Sequence, residues 1–246
     1  MKPNRSVAAA LAALIACTLP AAAMVPATTT FSDGIEGWAG PSGSGGRSWL
    51  ARFQGNDRPA YRTHFSDFGI GFTNSGNADF TGDYTALPAL QIGLDVKTLA
   101  LTFFGQPVTR DLIVELRDYD NAPDGMPWVS VWAKLGTLDP GVASWSTLSV
   151  TIADTAATAL PSGWGGYGAE DPVTYEPTLP AGRTFASVLA GVDEIAFTTF
   201  VPGYVYGETA FDVVVDNLFV RAVPEAPVAW LLAAGLAALR LRRRSH

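Results

Sequence analysis

Cysteine occurs once in the 246 residues, at Cys17, and histidine twice, at His64 and His246. Cleavage of a leader beyond Cys17 leaves no thiol, which removes disulfides, thiolate catalysis and cysteine-ligated metals together. A domain of this kind is held by its own core. His64 stands alone in the body of the chain, so histidine acid-base pairs and His-rich zinc sites cannot be assembled. Beside Phe65 it reads as structural. Cations are scarce too: residues 28–222 carry 10 Lys and Arg against 22 Asp and Glu, a formal charge of −12. Phosphate binding needs basic clusters, and their absence excludes nucleic acid as a partner and makes divalent cations more natural company. Long apolar runs are missing as well. The run at 226–239 has 14 residues. That is about 21 Å at ~1.5 Å per residue, against a hydrocarbon core of ~30 Å, which suits a temporary anchor better than a permanent span.

The two ends read as addresses. Lys2 and Arg5 precede an apolar stretch at 7–16, and the small residues Ala21, Ala22 and Ala23 follow it. These are the charged, apolar and cleavage regions of a signal peptide over residues 1–23. The mature chain is expected to begin between Met24 and Thr28. Leu14, Ile15, Ala16 and Cys17 also fit the lipobox of bacterial lipoproteins, whose cysteine is acylated, while the plainer reading makes Cys17 one more apolar leader residue. At the other end Pro224, Glu225 and Pro227 punctuate the chain, the apolar run follows, and Arg240, Arg242, Arg243 and Arg244 come after it. Arginines hold that end on the cytoplasmic side, which puts the folded body outside. This three-part segment, 223–246, resembles the PEP-CTERM sorting signal of exported bacterial proteins, with its second proline one place late. The resemblance implies an exosortase-type processing enzyme as partner, transient membrane contact, and association with exopolysaccharide or biofilm material.

Between the addresses the periodicity is that of strands. Residues 98–104, 111–117, 128–133, 145–152, 194–200 and 211–220 are short stretches rich in β-branched and aromatic side chains, separated by Gly, Pro, Asn and Asp. Several such strands within the 195 residues of 28–222 predict one all-β domain, an antiparallel β-sandwich. A single short helix is predicted at 184–190, with Thr184 as its cap. The Gly/Ser-rich stretch 40–46 and the Asn/Gly-rich stretch 74–82 read as loops.

Several pieces also fall in a telling order. They are an opening Phe31-Ser32-Asp33-Gly34-Ile35-Glu36-Gly37-Trp38, a middle Glu115-Leu116-Arg117-Asp118, a strand start at Ser144-Trp145, the stretch 183–189 running into Val192-Asp193-Glu194-Ile195, and a closing Val215-Asp216-Asn217-Leu218. Together they resemble laminin B (type IV) domains and carbohydrate-binding modules. The resemblance implies a jelly roll. It also implies a structural Ca²⁺ where the opening segment and last strand lie side by side, with Asp33 or Glu36 and Asp216 as ligands. The plainer reading is that these acids cap turns or pair with arginine. Residues 118–125 look superficially like a calcium loop but lack its alternating oxygens and distal Glu, so a hairpin turn around Pro123, Asp124 and Gly125 is expected instead.

The most unusual surface candidate is the glycine-rich stretch 163–171. Trp164 and Tyr167, with Tyr175 further on, would form a platform for sugar faces, while Glu170 and Asp171 hydrogen-bond hydroxyls. Alternatively Trp164 folds back onto the sandwich. Tyr204 and Tyr206 mark a second aromatic loop. Catalysis has little support. Glycoside hydrolysis needs two carboxylates, but Glu115 and Asp118 lie an odd number of residues apart and face opposite sides of a strand, and Glu170 with Asp171 shows no diagnostic pattern. The expectation is therefore an exported, cell-surface or matrix protein, non-catalytic and associated with extracellular polysaccharide. A carboxylate-dependent glycosidase, and a purely structural surface protein or lipoprotein, are the alternatives.

Overall fold

The computed structural model describes residues 26–56 and 59–223. The signal peptide with Cys17, the apolar run, and the sorting residues Pro224, Glu225, Pro227, Arg242, Arg243 and Arg244 lie outside the described residues. Among the described residues no helix is long and apolar enough to cross a membrane.

In chain order the strands are β1 (Ala27–Thr29), β2 (Trp38–Ala39), β3 (Ser42–Gly43), β4 (Gly46–Ala51), β5 (Ala60–Asp67), β6 (Gly71–Asn74), β7 (Leu90–Phe103), β8 (Gln106–Pro107), β9 (Arg110–Asp118), β10 (Val129–Leu138), β11 (Ser146–Ile152), β12 (Trp164–Tyr167), β13 (Ala169–Glu170), β14 (Pro177–Thr178), β15 (Glu194–Thr198) and β16 (Thr209–Ala222). One sheet runs β11-β7-β16-β5-β4-β3, with β1 on β16 and β8 on β7. The other runs β12-β10-β9-β15-β6-β2, and β13 with β14 forms a small ribbon. Both sheets draw strands from early and late in the chain, and their pairings are antiparallel. This is the jelly-roll-like sandwich expected above.

Alternation explains how the sheets face each other. On β9, Leu112, Val114 and Leu116 enter the common core, and on β10 Val129, Val131 and Ala133 do so. Asp111, Glu115 and Arg117 take the other parity, as period-2 geometry requires. On β16 the inward parity switches, from Phe211, Val213 and Val215 to Leu218 and Val220. The pairing with β7 skips a residue there, between Asp216 and Phe219. Asn217 occupies the bulge at φ 48°, a left-handed conformation that Asn tolerates better than most residues.

The predicted helix is α1 (Phe185–Leu189), with Thr184 and Ser187 exchanging hydrogen bonds in a capping box. It buries Phe185, Val188 and Leu189. Two expectations are corrected. The long strand β7 starts at Leu90 rather than at 98, because Leu90, Ile92, Leu94 and Val96 already alternate inward; Gly93 and Asp95, weak strand formers, hid that pattern. The stretch 163–171 is not all loop either, since its first residues form β12 on the edge of the second sheet.

Candidate functional site

The outward parity of the six-stranded sheet carries charge and aromatic rings together. Register sets Tyr167, Ser130, Arg117 and Glu194 side by side across β12, β10, β9 and β15. Arg117 binds Glu115 through Nε (2.9 Å) and a terminal nitrogen (2.7 Å), and Glu194 through the other (2.5 Å). The second oxygen of Glu115 accepts Trp128 Nε1 at 3.0 Å and Ser130 Oγ at 2.6 Å. Glu115, only 3% exposed, thus has donors on both oxygens. Burial works against the Arg117 charge, but the two carboxylates overcome it and hold the guanidinium above its ordinary pKa.

Three rings gather around this network. The Arg117 guanidinium lies over Trp128 at 4.2 Å. Tyr119 meets the indole edge-on at 5.8 Å, and Tyr167 lies at 5.9 Å. Tyr119 donates its hydroxyl to Glu194 at 3.0 Å and is 41% exposed; burial, then the Glu194 charge, raises its pKa. Beside this group Trp132 lies across the edge strand: a Cβ on Gly165 would come within 2.4 Å of the indole. Glycine there permits the close approach. Chemically the face offers apolar ring surface with fixed donors and acceptors at its margin.

The sequence-predicted residues separate. Tyr167 belongs to this face. Trp164, three residues earlier on the same strand, points the other way: it is 8% exposed and packs edge-on against Phe185 at 5.1 Å. It is a core residue, the alternative raised above. Glu170 is exposed in β13. Asp171 accepts the amides of Val173 and Thr174 in a tight turn, and those bonds, Thr174 first, lower its pKa. Tyr175 is 74% exposed at φ 59°. The two aromatic loops abut, because a Cβ on Gly203 would meet Pro177 at 2.7 Å. Glu115 and Asp118 do face opposite ways: Asp118 pairs with Arg183 near α1 and accepts Asn121.

Asp33 is exposed, Glu36 bonds Thr29 and has its pKa raised by burial, and Asp216 is buried, accepting the amides of Asn56 (2.9 Å) and Asn217 (2.8 Å). Among the described residues no group of three His, Cys, Asp or Glu is placed to hold a metal. Melting curves in calcium and in chelator decide between the two readings of these acids. A saturable rise of the size mass action gives, about 2.7 kcal/mol at 100 times the dissociation constant, would mean that they share an ion, and coincident curves that they cap turns.

Neighbouring Asp95 takes Asn217 (2.7 Å), Thr147 (2.5 Å) and Asn56 (2.8 Å). Burial opposes its charge, but these bonds prevail and hold its pKa below the ordinary 3.8. A depressed folded pKa contributes stability that is present above the ordinary value and lost as pH falls through the folded one. Asp95→Asn should therefore flatten the acid limb of a melting-temperature profile below the ordinary value of 3.8.

Sequence reasoning missed Tyr119 and Trp128, which flank the hairpin turn between β9 and β10. The signal was available: carrying the outward parity of 111–117 through the turn aligns Glu115, Arg117 and Tyr119 with Trp132, Ser130 and Trp128.

No family model matches the chain, and no curated protein sequence matches it. Among solved structures it is similar to the family 11 carbohydrate-binding module of a Clostridium thermocellum cellulosomal cellulase, at 16% identity over 83% of this chain and 98% of that one, with a TM-score of 0.48. It is similar to a family 22 carbohydrate-binding module of a Clostridium thermocellum protein, at 8% identity, 80% and 92% coverage, and a TM-score of 0.42. A Clostridium thermocellum endo-1,4-β-D-xylanase with a module of that family is matched at 12% identity and a TM-score of 0.46, over 81% of this chain but only 28% of the xylanase.

Proposed function

We propose that this chain is an exported, non-catalytic protein that binds neutral polysaccharide on the outer face of its six-stranded sheet, around Tyr119, Trp128 and Tyr167. The observation that carries the reading is the Trp128 indole, held by Arg117 over its ring and by Glu115 at its nitrogen, with two tyrosines beside it. Stacking sugars needs rigid rings whose positions are fixed before binding, and hydroxyls need donors and acceptors at the ring margin. Glu115 is saturated by its partners, which suits a scaffold acid and not a proton donor to a leaving group. Export, exosortase processing after Pro224 and transient membrane contact belong to the same proposal through the two terminal segments; an intact mass of the extracellular protein that retains Arg242, Arg243 and Arg244 would speak against the sorting signal.

The binding test uses affinity electrophoresis of the full chain in gels containing mixed-linked β-glucan or xylan. Tyr119→Ala should weaken binding about tenfold, as loss of one aromatic contact does, and leave the melting temperature nearly unchanged because the ring is exposed. Trp128→Ala should weaken it further, at some cost to stability through the orphaned Glu115 oxygen. Mobility unaffected by either gel, or by either substitution, would refute the site.

A further inference from the structure

The opposite face of the sandwich carries a second constellation. Strand β7 has a bulge at Leu99, since Thr98 pairs with Val213 and Ala100 with Asp212. Inward side chains fall on even positions before it, at Ile92, Leu94 and Val96, and on an odd one after it, at Leu101. Leu99 keeps the outward parity of Lys97 and is 38% exposed, and the extra residue leaves Ala100 exposed beside it. Bulges recur where a strand re-aims a side chain towards a site.

Leu99 lines a depression of about 270 Å³ with Phe53, Gln54, Lys97, Trp145 and Val214. Val214 is buried, and Phe53 is 79% exposed. Register places Lys97, Val214, Arg62 and Trp49 side by side across β7, β16, β5 and β4. Trp145 extends that row, since the next residue, Ser146, pairs with Val96. Four strand steps at ~4.8 Å separate the outer two backbones by about 19 Å, several sugar units long. Arg62 is committed to Asp212 (2.8 and 2.6 Å) and stacks over Trp49 at 5.4 Å. Asp95, two residues from Lys97, is held by its three donors. Lys97 makes no ion pair among the described residues.

We propose that this row is a second polysaccharide site, selective for carboxylated sugar units. The apolar face of a uronate ring lies against Trp145 and Phe53 above Val214. Its carboxylate takes the Lys97 ammonium in a charge-assisted hydrogen bond, and the Gln54 amide nitrogen donates to a ring hydroxyl. An acidic domain repels a polyanion at long range, but charges beyond ~10 Å are screened at about 0.1 M salt while the contact at Lys97 is not. Among the described residues, one cation without an ion pair then stands between two rings and selects by charge without a basic patch.

The test is calorimetric titration of the full chain, at physiological salt, with sodium polygalacturonate, its methyl-esterified form and free galacturonate. Polygalacturonate should bind. Lys97→Gln and Trp145→Ala should each weaken it at least about tenfold with the melting temperature held, and the esterified polymer should bind the native protein no better than polygalacturonate binds Lys97→Gln. Tyr119→Ala, on the other face, should leave this binding intact, which separates failure here from failure of the neutral-glycan site. Absence of polygalacturonate binding, or binding that Lys97→Gln and Trp145→Ala both leave unchanged, overturns the site. Free galacturonate matching the polymer in affinity overturns the polysaccharide assignment.

Discussion

Arg117→Met should lower stability by about 3–5 kcal/mol, the usual cost of removing one partner from a buried ion pair. The guanidinium is the shared donor for Glu115 and Glu194, and all three side chains are largely removed from water. Without it, one Glu115 oxygen keeps Trp128 and Ser130 while the other loses both its donors. Tyr119 becomes the remaining side-chain donor to Glu194. For a domain of this size the loss corresponds to a melting-temperature drop of about 6–20 °C. Adding Glu115→Gln should recover part of it, because a neutral amide tolerates that environment better than an unpaired carboxylate. Thermal denaturation of the single and double variants measures both effects. A drop in the single variant that the second substitution deepens would mean that Glu115 is stabilised by something other than Arg117.

Trp164→Ala should cost a similar amount, about 3–5 kcal/mol, for a different reason. The indole fills space between the edge of the six-stranded sheet and α1, edge-on to Phe185, and across the strand pair it faces Ala133, a side chain too small to close the gap. Its neighbours Phe185 and Ala133 bring no side-chain polar group to recruit water into the vacated volume, so it stays a cavity. Trp164→Phe retains the aromatic contact and should cost less than half as much. Glycan binding per folded molecule should not change in either variant, which is measured by affinity electrophoresis beside a denaturant titration. Weakened binding with unchanged stability would restore Trp164 to the ligand surface.

The contrast between Trp164 and Tyr167 shows what was legible in the sequence. Six strands, the capped helix and the sandwich class followed from runs of Val, Ile, Thr and aromatic residues between turn formers, because backbone period and side-chain shape are local properties. The facing of a residue in Gly163-Trp164-Gly165-Gly166-Tyr167 was not local. Glycines supply no apolar alternation, so nothing in the stretch announces which parity is inward; pairing with β10 decides it, putting Trp164 opposite Ala133 and Tyr167 opposite Ser130. The Arg117 network was hidden for a related reason. Glu115 and Arg117 read as an ordinary solvated strand face, and only Glu194, 77 residues later, completes the group. The buried partners of Asp216 were out of reach in the same way, since they include Asn56, 160 residues earlier.

The most direct test of the sugar-binding face is a two-dimensional NMR titration read at the indole nitrogens. The chain has seven tryptophans, and those in the described residues divide among the core (Trp38, Trp164), the six-stranded face (Trp128, Trp132) and the eight-stranded face (Trp49, Trp145). Adding a neutral mixed-linked β-glucan tetrasaccharide should shift the Trp128 indole resonance in a saturable way and move Trp132 with it, leaving Trp38 and Trp164 in place. Saturable shifts confined to Trp49 and Trp145, or no shift at Trp128 at saturating polysaccharide, would contradict the assignment of that face.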